Sequence, residues 1–373
     1  MTTKTGRTTA ALTQKGMDLL MNPQEVRVGQ TPSEVIYTEN TLRLLHYTSQ
    51  TAHRHPVPIL IVYALINRPY ILDLLPGRSV VESLVAGGLD VYLIDWGAPG
   101  AGDQWNTLDR YINGYIHRCV RKVKEATGAE QVNLFGYCQG GTFAAIYTAL
   151  HPEEIKNLVV MASPFGLNGA EETDGLLSLW SNPKYFDVDK LVDAYGNIPV
   201  WMLNSTFQLL KPVQNLLDKY VRFAEDLAEQ RADDGKVEMF LAMEKWIADG
   251  IPHPGEVYRE FVKGIYQQNL LVQNRMRVGG RVVNLTKIQC PVFNIVAAQD
   301  HLVPPPMSLS FSEAVGSQQV ETVTLPTGHV GLSVGSLAKK ELWPRAIRWL
   351  TEHSQNGAGT RTPRRPRGSE TDR

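Results

Sequence analysis

Val132-Asn133-Leu134-Phe135-Gly136-Tyr137-Cys138-Gln139-Gly140-Gly141-Thr142-Phe143-Ala144-Ala145 passes from a short apolar run to a pinch of small residues and then to a helix former. Val132 to Phe135 has the composition of a strand buried on both faces. Phe143 to Tyr147 continues as a helix. Between them, Gly136-x-Cys138-x-Gly140-Gly141 predicts a strained turn that brings the chain on either side of Cys138 close together. A Cβ at Gly136 or Gly140 is expected to clash there. Strand, sharp turn and helix make a nucleophile elbow, with Cys where Ser is usual. The positive end of the helix is expected to favour thiolate at the exposed sulfur. The competing reading is a buried structural cysteine beside a Gly-rich turn; the flanking strand and helix and the extra Gly141 favour the elbow.

The totals bound the class. A chain of 373 residues, 43% apolar, has room for one large α/β domain or for a core with an inserted cap. A formal charge of -1 argues against nucleic acid or an anionic membrane as the main partner. Three cysteines, at 119, 138 and 290, form no disulfide framework, which points to a reducing compartment. The N-terminus lacks the apolar core of a signal peptide. The best apolar run, Val57 to Ile66, is interrupted by Pro58 and too short for a transmembrane segment. A soluble, cytoplasmic protein is the expectation.

Outward from the elbow, strands and helices alternate. Residues 1–32 read as a lead segment with a short helix through Leu12 to Met21. Ser33 to Tyr47 reads as a β-hairpin, Pro58 to Ala64 and Asp90 to Asp95 as buried strands, and Arg78 to Gly87 as a helix between them. Leu108 to Ala126 is a long amphipathic helix, and Lys156 to Ala162 the strand after the elbow. The rhythm stops at Ser163-Pro164. Residues 165–280 carry Trp, Phe, Leu and Met at helix-like spacing (Leu176 to Trp180, Trp201 to Leu210, Met239 to Trp246, Phe261 to Asn269), which predicts an inserted helical cap. Strands resume at Pro291 to Ala297 and Val320 to Leu325, and Leu337 to Glu352 closes the core. The core is therefore expected over 33–164 and 281–353, with a disordered Arg-rich tail over 354–373.

Each resumed strand ends in a candidate partner for the nucleophile. Asp300-His301 follows the first and Gly328-His329 the second. In open α/β sheets reacting groups gather beyond the carboxyl ends of the strands. The order Cys138, Asp300, His329 is that of the α/β-hydrolase triad, with His329 as base and Asp300 fixing its tautomer. Taken singly, Asp300 reads as a turn or cap residue and His329 as a loop histidine; their joint order at strand ends makes the set. His301 reads as support for the Asp300 loop rather than chemistry. The oxyanion hole is expected from the backbone N–H of Gln139 and one from the loop after Ala64, near Asn67. Cys119, Cys290, Asp95 and Trp96 read as structural. A thiol nucleophile forms a thioester acyl-enzyme that stays activated, which favours an acyl-CoA donor and transfer over hydrolysis, provided water is excluded.

Six segments carry a resemblance: Ile61-Val62-Tyr63-Ala64-Leu65-Ile66-Asn67-Arg68-Pro69-Tyr70, Val91-Tyr92-Leu93-Ile94-Asp95-Trp96-Gly97, Gly136-Tyr137-Cys138-Gln139-Gly140-Gly141, Met243-Glu244-Lys245-Trp246, Gln299-Asp300-His301-Leu302-Val303-Pro304-Pro305 and Gly328-His329-Val330-Gly331. In order and well separated from about residue 34 to 352, they resemble the catalytic subunit of polyhydroxyalkanoate synthases. The short length resembles the two-subunit type, class III rather than class IV. The resemblance implies an (R)-3-hydroxyacyl-CoA substrate such as 3-hydroxybutyryl-CoA, a polyester product and release of CoA, with no other cofactor and no metal. It implies that Cys138 holds the growing chain as a thioester, that His329 deprotonates it, and that Asp300 helps activate the 3-hydroxyl attacking next. It also implies a dissimilar partner subunit, a dimer, and movement from cytosol to the granule surface. Two rivals remain: a Cys-dependent thioesterase or lactone hydrolase of the same fold, and an inactive granule-associated scaffold.

Overall fold

The computed structural model describes residues 26–47, 51, 55–166, 177, 181–209, 219–228 and 234–355. The expected helix at Leu12 to Met21, the Arg-rich tail beyond 355 and most of Leu176 to Trp180 lie outside them.

Eight strands form one sheet: β1 (Ser33–Glu39), β2 (Leu42–Tyr47), β3 (Ile59–Val62), β4 (Val91–Asp95), β5 (Val132–Tyr137), β6 (Ile155–Met161), β7 (Val292–Ala297) and β8 (Val320–Leu325). Their spatial order is β1-β2-β4-β3-β5-β6-β7-β8. β2 runs antiparallel to both neighbours, β1 and β4, and every other pairing is parallel. β3, β4, β5 and β7 are buried along their whole length. That is why they read as unbroken apolar runs rather than alternating ones.

Helices cover both faces. α1 (Val80–Ala86) starts where the Ser79 hydroxyl accepts the Glu82 N–H and stops at Gly87. α2 (His117–Thr127) is entered through a π-helical segment, Arg110–Ile116, and ends at Gly128 in the left-handed region. α3 (Gln139–Leu150) follows the elbow and is buried on nearly every side, hence its lack of an amphipathic pattern. Sequence periodicity does not reveal the small ribbon of Asp73–Leu75 with Arg78–Ser79, because segments so short carry no period.

Between β6 and β7 the described residues form α4 (Val188–Tyr195), α5 (Val200–Leu209), α6 (Lys219–Ala228), α7 (Asp234–Ala248) and α8 (Gly255–Phe261), the last continuing as a π-helical segment to Gln267. No strand of the main sheet occurs among them; a two-residue ribbon, Arg277–Val278 with Arg281–Val282, precedes β7. α9 (Pro305–Ala314) and α10 (Trp343–Gln355) complete the fold. α10 buries Trp343, Ala346, Trp349 and Leu350.

Candidate active site

β5 delivers Cys138 at φ +56°, ψ −129°, outside helix and strand geometry, and α3 begins at the next residue. Such a backbone costs on the order of 1–3 kcal/mol and persists only where its surroundings enforce it. The surroundings are glycine. A Cβ on Gly136 would lie 2.3 Å from the Gly141 Cα, as the closeness of the two arms of the turn requires. At Gly140 the obstacle comes from elsewhere: the Val62 carbonyl oxygen at the end of β3, 2.1 Å away. At Gly141 it is the Ser163 hydroxyl, 1.9 Å away. Gly140→Ala therefore drives a methyl group into backbone of the neighbouring strand. The variant is expected to lose about 1–3 kcal/mol or more of stability, read from a urea unfolding midpoint; an unchanged midpoint would show that the strand end yields freely.

Behind the elbow, Asp300 and His329 come together from the ends of β7 and β8. His329 Nδ1–H donates to Asp300 Oδ2 at 2.7 Å. The other carboxylate oxygen accepts the N–H groups of Leu302 and Val303, both at 2.9 Å. The Asp300 side chain has no solvent exposure. Tyr137 lies against the His329 ring (centroids 5.1 Å apart, planes at 24°) and donates its hydroxyl proton to the His329 carbonyl at 3.2 Å. Burial alone would lower the His329 pKa. The Asp300 charge, with smaller contributions from Tyr137 and Cys138, outweighs it and raises the imidazole well above its ordinary value.

Cys138, Gln139, His329, His301 and Asn67 all line one cavity of about 1590 Å³, whereas Asp300 stands behind His329. Asn67 is buried in the left-handed conformation at φ +59°, which asparagine tolerates better than most residues. His301 is exposed at the cavity wall. Cys119 and Cys290 stay outside it, and burial pushes both thiols up, Cys290 to about 12. Asp95 pairs with Arg43, and the Trp96 indole N–H donates to the Tyr63 carbonyl at 2.9 Å, holding the end of β3. Neither the Asp95 nor the Trp96 side chain lines the cavity. Among the described residues no group of three or more His, Cys, Asp or Glu is placed to hold a metal, and no helix is long and apolar enough to cross a membrane.

A buried polar residue of the cavity wall, His253, is absent from the sequence reading. His253, between α7 and α8, is fully buried, with Nε2 3.0 Å from the Gln139 amide nitrogen and Nδ1 3.0 Å from the Pro254 carbonyl. A lone histidine before a proline offers no periodic signal, and its contact with Gln139 spans 114 positions. Burial lowers its pKa to about 4. An unfolded histidine titrates near 6.5, so the neutral form that folding requires is present in full above about 6.5. As pH falls from there towards 4 the unfolded state takes up the proton first, and on the order of 3 kcal/mol of stability is lost. The stability gap between His253→Gln and the native chain is expected to shift in the variant's favour over this window, measured by urea unfolding at stepped pH; parallel curves would refute it.

The profile of the alpha/beta hydrolase fold family matches residues 57–336. That of the poly-beta-hydroxybutyrate polymerase (PhaC) N-terminus matches residues 12–84. Among solved structures, the enol-lactonase from Burkholderia xenovorans superposes with a TM-score of 0.50 at 14% identity, covering 86% of this chain and all (100%) of that one. A protein from Sulfolobus solfataricus reaches 0.53 at 15% identity, covering 86% of this chain and 99% of its own. These likenesses establish the fold alone. Much greater similarity is found with proteins named poly(3-hydroxyalkanoate) polymerase subunit PhaC. The one from Haloferax mediterranei is 45% identical over 345 residues, 92% of this chain and 69% of that protein. The one from Allochromatium vinosum is 44% identical over 340 residues, 91% of this chain and 93% of that protein. The Synechocystis protein is 41% identical over 337 residues, 89% of this chain and 87% of its own. With identity above 40% over about nine-tenths of this chain, and over most of the length of the Allochromatium and Synechocystis proteins, the chain belongs to the poly(3-hydroxyalkanoate) polymerase PhaC subunit family.

Proposed function

We propose that the chain polymerises (R)-3-hydroxyacyl-CoA, 3-hydroxybutyryl-CoA first among candidates, into polyhydroxyalkanoate with release of CoA. The observation that carries the reading is a cysteine at a strained elbow, on the wall of a large cavity that it shares with an Asp300-paired His329. The cavity exceeds the roughly 300–1,000 Å³ of ordinary ligand pockets, which suits a pantetheine arm and a growing acyl chain together.

In this mechanism His329 Nε2 takes the Cys138 proton and the thiolate attacks the thioester carbonyl. The tetrahedral oxyanion sits between the Gln139 N–H and a donor of the Ile66–Asn67 turn; Leu65 is unsuited, since its N–H is already held by the Gln139 side chain. CoA leaves as a thiol with the proton from His329. The 3-hydroxyl of the next acyl group then gives its proton to His329 and attacks the Cys138 thioester. One C–O bond forms and the Cys138 C–S bond breaks, the proton returning from His329 to the Cys138 sulfur and the lengthened chain remaining as its CoA thioester. Renewed attack of the Cys138 thiolate on that thioester takes the chain back and releases CoA, one for each unit added. Both Asp300 oxygens are engaged inside the protein, which favours action through His329 over contact with the 3-hydroxyl. We assign residues 165–280 as the cap that shields the cavity from water, with 33–164 and 281–353 as the core. His301 is assigned to support. No metal or cofactor is needed beyond the CoA of the substrate.

The family resemblance supports a dissimilar partner subunit, a dimer, and a cytoplasmic enzyme that associates with polyester granules. The test is CoA release from 3-hydroxybutyryl-CoA, with and without the candidate partner, while the product is recovered. Insoluble polyester is expected. Soluble 3-hydroxybutyrate in proportion to CoA would make the protein a thioesterase, and no CoA release even with the partner would make it a scaffold.

A further inference from the structure

We propose that His253 is a positioning residue for acyl transfer: through the Gln139 side chain it locks together the two backbone segments that hold the oxyanion. The inference rests on the acyl-transfer reading above and adds to it a role for a residue of the inserted region.

With the His253 ring neutral and the Pro254 carbonyl against Nδ1, donor and acceptor chemistry selects one arrangement of this network. The Leu65 N–H can only donate, so the Gln139 atom 3.0 Å from it is the amide oxygen. The Gln139 amide nitrogen is the nearer group to His253 Nε2, at 3.0 Å against 3.3 Å for the amide oxygen, and in the neutral ring whose proton sits on the other nitrogen Nε2 accepts from it. The imidazole proton then sits on Nδ1, where the Pro254 carbonyl, an acceptor only, stands 3.0 Å away. A flipped Gln139 amide would set its NH2 against the Leu65 N–H. A neutral, fully buried His253 is the state in which every group is satisfied, and burial keeps the ring neutral.

Each end of the relay is fixed. The His253 backbone pairs with Ile198 in both directions (2.8 and 3.0 Å), and its ring meets Tyr258 edge-on, with centroids 5.3 Å apart. Gln139 is the first residue of α3, so its N–H has no partner inside the helix and is available to a developing oxyanion. The loop after β3 is pinned at three points: Tyr63 C=O by the Trp96 indole, Leu65 N–H by Gln139, and Arg68 C=O by the Trp246 indole at 2.9 Å. Of these ties, only the one through Gln139 joins the loop to the residue that follows the nucleophile. Loss of the His253 acceptor frees the Gln139 amide to rotate, and with it the spacing between the two walls.

The experiment compares two reactions of the same sulfur. Acylation by a thioester builds an oxyanion, whereas alkylation by iodoacetamide does not. Both are followed in native protein, His253→Leu, His253→Gln, Gln139→Leu and the double leucine variant, with 3-hydroxybutyryl-CoA and with a simple aryl thioester as donors. His253→Leu is expected to slow acylation about 10- to 100-fold while leaving alkylation within about 2-fold. His253→Gln, which retains an acceptor, is expected to recover most of the loss. In the Gln139→Leu background, His253→Leu is expected to cost little more, since the relay is already cut. Unchanged acylation in His253→Leu, an equal fall in both reactions, or multiplying losses in the double variant would overturn the proposal. Native protein acylated by the aryl thioester but not by the CoA ester would instead overturn the substrate reading and leave the His253 comparison intact; failure of both donors would overturn both.

Discussion

Cys138→Ala is expected to reduce polymer formation and CoA release at least about 10⁴-fold, to the level of the background reaction. The variant removes the atom that carries the acyl chain, and no other thiol is placed to replace it. Cys119 is fully buried in α2, and Cys290 is half-buried and outside the cavity, with both thiols pushed up by burial. The backbone at Cys138 is held by bonds that the substitution leaves alone: its N–H to the Met161 carbonyl and its carbonyl to the Gly141 N–H, each 2.9 Å. The variant should therefore fold, and its urea unfolding midpoint is the control. Cys138→Ser is expected to retain a trace of activity, since a hydroxyl fits the elbow but ionises far less readily than a thiol. Wild-type rates of CoA release by either variant would sink the covalent mechanism.

Asp300→Asn is the second large effect, with an expected loss of about 10³- to 10⁴-fold in CoA release. The Asn oxygen can still accept from the Leu302 and Val303 N–H groups, so the loop keeps its shape. Its NH2 group then faces His329 Nδ1 and becomes the donor. The imidazole proton moves to Nε2, the nitrogen that the mechanism needs free to receive the thiol proton. A second readout follows from the raised His329 pKa. A histidine whose folded pKa exceeds its unfolded value stabilises the fold fully below about 6.5, and that contribution fades as pH rises through the folded value. The stability deficit of Asp300→Asn should thus be largest near pH 6 and shrink as pH rises through the folded value of His329, measured by urea unfolding at stepped pH. A deficit that grew with pH would contradict the assigned pairing.

The alternation of apolar runs and amphipathic stretches was legible because parallel strands buried on both faces leave an unbroken signature. β3, β4, β5, β6, β7 and β8 all fall within a residue or two of the segments read from sequence. The elbow was legible for a related reason: its glycines, its strand and its helix are contiguous. The explanation for Gly140 was incomplete, since the obstacle is the Val62 carbonyl of an adjacent strand rather than the turn itself. The places of Asp300 and His329 after β7 and β8 are legible in the sequence, but the inward turn of the carboxylate and its two backbone donors are not.

Local chain chemistry thus sufficed for the α/β alternation, the strained turn at Cys138 and the family likeness, because each is written in neighbouring residues. The β1-β2-β4-β3-β5-β6-β7-β8 order, the cavity and the Gln139–His253 link needed the folded chain. They are contacts between residues tens to more than a hundred positions apart, whose burial and hydrogen bonding exist only once the sheet has assembled.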